Sequence, residues 1–313
     1  MSKHPTADSL LLPGLDGTNP LGFLAALGVL RVLSLQEHGV NLSWQPSSGT
    51  WKPKLHGVQV PLPELGAELL AGIRNLDHSA WSIDKKLPFE ANKFRRVVAE
   101  SIEATHSKQR FKVDLLAAFG VECVRDKKGN FEETELRLVR TADNKKDKEK
   151  QEGLLAFAAT TIETTSVAQI QETLSSNWLY KDKQLTFRWD PAEDRGYALQ
   201  WDDPGPIGAM TQRGANCLAL FGMTCFPVIP VKGQVETTGF GLKEPKQASL
   251  TWPVWKHPIN LSVVSTLLTS RELQQEQPNR LELASLGVPA AYRCNRVMTS
   301  TYYANFAPAQ RVA

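Results

Sequence analysis

Cysteine is scarce in this chain, with four in 313 residues: Cys123, Cys217, Cys225 and Cys294. None belongs to a C-x-x-C pair, and the nearest two stand eight apart with no histidine close by. That excludes a disulfide framework and a cysteine-based zinc site, and leaves buried thiols in a reducing compartment as the expectation. The six histidines are scattered at no metal-ligand spacing, so no metal site is expected. Charge of one sign is also lacking. With 36 basic against 33 acidic residues the net charge is only +3. A protein that coats DNA through its overall charge is thereby excluded, and any nucleic-acid contact must come from a local patch.

Long apolar runs are missing too. The longest, Leu21 to Leu35, is interrupted by Arg31 and falls short of the roughly 20 apolar residues of a membrane helix. Asp8 and Asp16 precede it, which does not suit a signal peptide. No membrane contact is expected, and the localisation expected is cytoplasmic. Catalytic signatures are absent as well. Gly14 to Gly22 is glycine-rich but has neither the lysine nor the preceding strand of a phosphate loop. No G-x-S-x-G, H-E-x-x-H or H-x-E…C-x-x-C string occurs. These absences predict a protein that is not an enzyme and carries no cofactor.

What is present is globular: 42 % hydrophobic and 22 % charged residues, in a chain long enough to bury a sizeable core. A turn-rich stretch, Leu12 to Pro20, ends in Asn19 and Pro20, which suit an N-cap and a first helical position. The helix that follows, over 20–38 with Gly39 as its stop, is apolar almost all round and should run through the core. Its small residues Gly22, Ala25, Ala26 and Gly28 would let another element approach closely.

Further helices are expected at 64–74, 92–105, 114–119, 154–161, 167–175, 212–221, 260–268 and 280–286. Strands are expected at 41–44, 50–55, 227–231, 234–238, 249–254 and 290–299. A hairpin is expected that pairs Leu185, Phe187 and Trp189 with Tyr197, Leu199 and Trp201. On the predicted helix 92–105, Phe94, Val97, Val98, Ile102 and Thr105 share the inward face. The pattern predicts an α+β fold: helices and mainly antiparallel sheet around a central buried N-terminal helix. A mainly helical part, 1–140, is followed by a charged loop, 141–152, and a strand-rich part, 153–313; the two parts could equally form one integrated domain.

Two constellations could carry chemistry. Asp190, Glu193, Asp194, Asp202 and Asp203 could converge on two metal ions for phosphodiester cleavage, but they fall where turns need polar residues anyway. Basic groups and aromatics alternate in Lys85-Lys86, Lys93-Phe-Arg95-Arg96 and Lys108-Gln-Arg110-Phe-Lys112. On one face they would grip phosphates while a ring stacks on a base; the bland alternative is an ordinary charged helix surface. Arg213, at a helix start in Gln212-Arg-Gly-Ala-Asn216, could bind a phosphate through free N–H groups. Trp252, Trp255 and Lys256 could form a stacking platform or belong to the core. Arg293 and Arg296 lie on a strand, on opposite faces.

The opening Leu12-Pro-Gly-Leu-Asp-Gly-Thr-Asn-Pro-Leu-Gly-Phe-Leu-Ala-Ala-Leu-Gly-Val-Leu-Arg31 resembles the start of several proteins of type I-G (formerly I-U) CRISPR–Cas loci. Phe187-Arg-Trp-Asp-Pro-Ala-Glu-Asp-Arg195, Arg213-Gly-Ala-Asn216, Thr237-Thr-Gly-Phe240 and Thr251-Trp-Pro-Val-Trp255 resemble one of these most. That is the roughly 300-residue family named as an extension of the helicase–nuclease. The likeness spans about residues 10–55 and 185–306. It implies a role in RNA-guided antiviral defence, where base pairing reads sequence and protein subunits hold backbones or recruit the nuclease.

The resemblance implies a non-catalytic or bridging subunit whose partners are other CRISPR-associated proteins, in the interference complex or the helicase–nuclease, and nucleic acid. It brings no site residues with it. The expected contacts, Lys85, Lys86, Lys93, Arg95, Arg96, Lys108, Arg110 and Arg213, rest on charge and placement alone. The rival readings are a metal-dependent nuclease using the Asp190–Asp203 carboxylates and a protein-only adaptor.

Overall fold

A computed structural model describes residues 9–36, 39–104, 110–139, 153–183, 186–193, 210–242, 248–298 and 304–313. The first half contains β1 (Ser9–Leu11), α1 (Pro20–Gln36), β2 (Asn41–Ser47), β3 (Thr50–His56), α2 (Leu62–Arg74), α3 (Ala91–Glu103), α4 (Arg110–Phe119), β4 (Gly120–Arg125) and β5 (Phe131–Glu133). Then follow α5 (Leu154–Thr164), α6 (Val167–Ser175), β6 (Asp182–Lys183), β7 (Met210–Thr211), α7 (Arg213–Gly222), β8 (Val228–Val231), β9 (Gln234–Thr237), β10 (Phe240–Leu242) and β11 (Ala248–Val254). The chain closes with α8 (Leu261–Leu268), α9 (Arg271–Gln274), α10 (Arg280–Ser285), β12 (Ala290–Met298), β13 (Ala304–Phe306) and β14 (Gln310–Arg311). The fold is α+β, with antiparallel strands in several small sheets.

Helix α1 is the axis of this arrangement. Asn19 caps it, its Oδ1 accepting the Gly22 N–H at 3.2 Å. Every residue from Pro20 to Leu33 is buried, which its near-uniform apolar composition anticipates. Its principal neighbour is α7, and the two meet backbone to backbone. A Cβ on Gly28 would lie 1.8 Å from the Leu218 carbonyl oxygen, and one on Gly222 would lie 2.1 Å from that of Leu24. Only a residue without a side chain fits at either point. Buried residues from both sides of the 141–152 segment, which itself lies outside the described residues, share one apolar cluster.

The three-stranded sheet β1-β3-β2 lies near one end of α1, and the larger sheet β10-β11-β12-β13, with β14 also paired to β12, lies beside it. Trp44 and Trp255 close the junction, since the Trp44 N–H donates to the Trp255 carbonyl at 2.8 Å. Around Phe23 of α1 sit Trp44, Trp252 and Trp255, with ring centroids 5.7, 5.8 and 6.3 Å away. The Trp252 and Trp255 indoles donate to the carbonyls of Gly17 (2.8 Å) and Leu42 (2.6 Å). These two tryptophans are therefore core, and only Lys256 is exposed; the stacking platform does not exist.

Two further expectations are corrected. Thr186 to Asp190 forms no strand: Arg188 adopts φ +62° and residues 191–193 turn helically. Phe187 and Trp189 still stack face to face, 4.8 Å apart, and both are buried. The second arm of that expected hairpin lies outside the described residues. On α3, Phe94 is buried against Phe131 with centroids 4.2 Å apart, but Ile102 is 57 % exposed. Thr105 lies outside the described residues.

Candidate functional site

The strings that carry the family resemblance meet in space. Asp16 Oδ1 accepts the N–H and hydroxyl of Thr18, both at 2.8 Å, and so shapes the turn that presents Asn19. Asn19 Nδ2 then donates to Asp190 Oδ1 at 2.9 Å. The Tyr180 hydroxyl donates to Asp190 Oδ2 at 2.7 Å, and the Ala192 N–H to Oδ1 at 2.8 Å. Three residues on, Glu193 accepts from the hydroxyls of Thr186 and Thr211 and from Asn216 Nδ2. Asn216 also donates to Thr211 Oγ1 at 2.8 Å. Asp190, Glu193, Thr211 and Asn216 are all buried.

Electrostatics follow from that burial. Loss of solvent, and next the Asp190 charge, push the Glu193 carboxyl up to about 7, against the pull of the Thr186, Thr211 and Asn216 donors. Burial, and then the charge of Asp190, push the Tyr180 phenol upward, so it stays a donor. The two carboxylates thus act as internal acceptors tying α1, α7 and the 186–193 segment together. The expectation that Asp190 and Glu193 occupy a solvated hairpin turn is corrected. Asp194, Asp202 and Asp203 lie outside the described residues. Among those described, no group of three or more His, Cys, Asp or Glu side chains could hold a metal ion.

The basic residues are divided among three places. Around α3, Lys85, Lys86, Arg95 and Arg96 are exposed and Lys93 is half-buried. Glu90 starts this helix, accepting the N–H groups of Asn92 and Lys93, both at 2.9 Å. Lys93 Nζ reaches Asp84 at 3.0 Å and lies 5.2 Å from the Phe89 ring centroid. Burial alone would raise the Asp84 carboxyl, but hydrogen bonds from Lys93 and the Lys85 and Lys86 N–H groups hold it below its ordinary value. Lys93 is thereby drawn toward the 84–86 loop, and Arg96 follows one helical turn later. Arg95 turns to the flank, 3.9 Å from Glu122 on β4.

Arg110 stands apart on α4, donating to Asp114 at 2.7 Å. Arg213 is elsewhere again. Its N–H donates to Asp182 Oδ2 at 3.0 Å, while its guanidinium reaches Thr164 Oγ1 at 3.4 Å. Of the N–H groups at the start of α7, that of Arg213 is therefore taken by a carboxylate. Lys108 lies outside the described residues. On β12, Arg293 is buried and donates to the carbonyls of Leu273, Gln275 and Glu276; Arg296 pairs with Glu135 at 2.8 Å.

The Asp190–Glu193 network was missed because turn-forming carboxylates read alike whether solvated or buried. The signal available was the apolar pair Phe187 and Trp189 immediately before them. No protein-family model matches the chain, and no curated protein matches it.

Proposed function

We propose that this chain is a non-catalytic, nucleic-acid-binding subunit of a cytoplasmic, type I-G-like RNA-guided antiviral complex, docked on partner proteins such as the helicase–nuclease. The observation that supports it best is the outer side of α3. Arg96 is exposed there and Lys93 is half-buried, Lys85 and Lys86 are exposed in the loop that carries Asp84, the partner of Lys93, and Phe94 anchors the opposite side in the core. Exposed cations on a fixed helix and the loop tied to it suit phosphates spaced along a strand, and the contact would carry little sequence information. That matches a system in which base pairing does the reading. Asp190 and Glu193, consumed by internal donors, support the non-catalytic part of the reading.

A mobility-shift gel with labelled single-stranded DNA, duplex DNA and single-stranded RNA, run with and without magnesium at two salt concentrations, tests this. Binding without cleavage is expected, and Arg95→Ala with Arg96→Ala should flatten the salt dependence by about one to two in log–log slope. Magnesium-dependent cutting would instead favour the nuclease. No shift at low salt would leave a protein-only adaptor.

A further inference from the structure

Arg31 is the one charged residue in α1, and it is 94 % buried. Its Nη2 donates to Asp114 Oδ2 at 2.8 Å, and Asp114 Oδ1 accepts from Arg110 Nε at 2.7 Å. Two guanidinium groups thus share one carboxylate, leaving a net positive charge. The Nε of Arg31 is buried with no partner among the described residues, a costly arrangement for a charged donor. These three side chains line a cleft of about 560 Å³ together with Thr224, Ser262 and Ser265.

The opposite wall of the cleft is α8. Leu261 and Ser262, its first two residues, border the cleft, and its first turn carries no acidic residue. Asn260 takes only the Val263 N–H, at 3.1 Å. Ser265 and the C-cap residue Thr269 line it as well, so the cleft runs along the side of α8, which faces the same space as two arginines. Ser265, Thr269 and Thr224 direct their hydroxyls to main-chain carbonyls. The Ser262 hydroxyl has no such bond among the described residues and is exposed. Asp114, with both oxygens engaged by arginine, is the only acidic side chain on the lining among the described residues.

We propose that this cleft is an anion site for the phosphate of a nucleotide-sized ligand, either a free mononucleotide or the phosphorylated end of a strand. Guanidinium forks favour a tetrahedral anion with several acceptor oxygens. The volume exceeds what phosphate alone fills and lies in the usual range for small-molecule sites. The site is separate from the α3 face and does not rest on the reading above.

The test is calorimetric titration of the full chain with AMP, adenosine, inorganic phosphate and a short oligonucleotide with or without a 5′-phosphate. AMP and inorganic phosphate should bind and adenosine should not. Arg110→Ala should weaken AMP by about tenfold, the worth of one charge-assisted hydrogen bond. Ser262→Asp, which sets a negative charge on the exposed rim, should abolish binding, while Arg96→Ala should leave AMP untouched. Both rim positions are exposed, so thermal melting should confirm an intact fold. A stronger response to the phosphorylated oligonucleotide than to AMP would assign the strand end as the source, and the reverse a free nucleotide. The proposal is overturned if AMP and adenosine behave alike, or if Ser262→Asp binds AMP as the wild type does.

Discussion

Glu193 makes the stability of this protein depend on pH in an unusual direction. In the unfolded chain its carboxyl has the ordinary value of 4.5, and in the fold burial and Asp190 push it up to about 7. The folded state therefore holds the proton more tightly than the unfolded one. Its contribution is fully present below pH 4.5 and is lost as the pH rises through 7. The gap between the two values corresponds to about 3 kcal/mol. Glu193→Gln copies the shape of the neutral acid and cannot ionise. Urea unfolding of both proteins across pH 5 to 8 should show the variant gaining on the wild type by about 2.5 kcal/mol as the pH rises.

The difference between the two curves is the informative quantity. His56, held below 6.5 first by burial and then by Lys54, titrates in the same window with the opposite sign. Its contribution is present above pH 6.5 and fades as the pH falls; it cancels in the difference. Asp77 and Asp84, both held below 3.8, lose their contributions only at lower pH. Parallel curves for wild type and variant would refute the reasoning, because they would mean that Glu193 ionises in the fold as easily as in water.

Two further outcomes are expected. Gly28→Ala places a methyl 1.8 Å from the Leu218 carbonyl oxygen and should cost about 3 kcal/mol or more. Gly129→Ala meets open space at φ +80° and should cost only about 1 kcal/mol, so denaturant midpoints should separate the two sharply. Under native conditions a thiol reagent should label Cys123, which is exposed, well before the others. Burial pushes Cys217 and Cys225 up to about 12 and Cys294 well above its ordinary value; four equally fast thiols would contradict this packing.

Local pattern was enough for much of the fold. A mostly apolar run after Asn19-Pro20, interrupted by Arg31, defines α1 wherever it is placed, because such a helix has no broad face to offer water. Strands β2, β3, β11 and β12 and most helices follow from periodicity and turn residues in the same way. Their ends fall within a few residues of expectation, and Gly28 indeed lies at a close approach. Cys123 departs from the expected buried thiol, since one exposed position on a short strand leaves no trace in composition.

Partnership between distant residues was not legible. Asn19 and Asp190 are 171 positions apart, and nothing local to either says that they meet. Asp190 and Glu193 are polar, near proline and near each other, which describes a solvated turn equally well. Burial against α1 and α7 turned them into acceptors. The basic residues form one stretch on paper, but helix geometry sends Arg95 to β4, Lys93 to Asp84 and Arg110 to the Arg31 cleft. Sequence carries charge and periodicity because those belong to single residues and short windows. Which charges stay free for a ligand depends on neighbours that only the packed chain supplies.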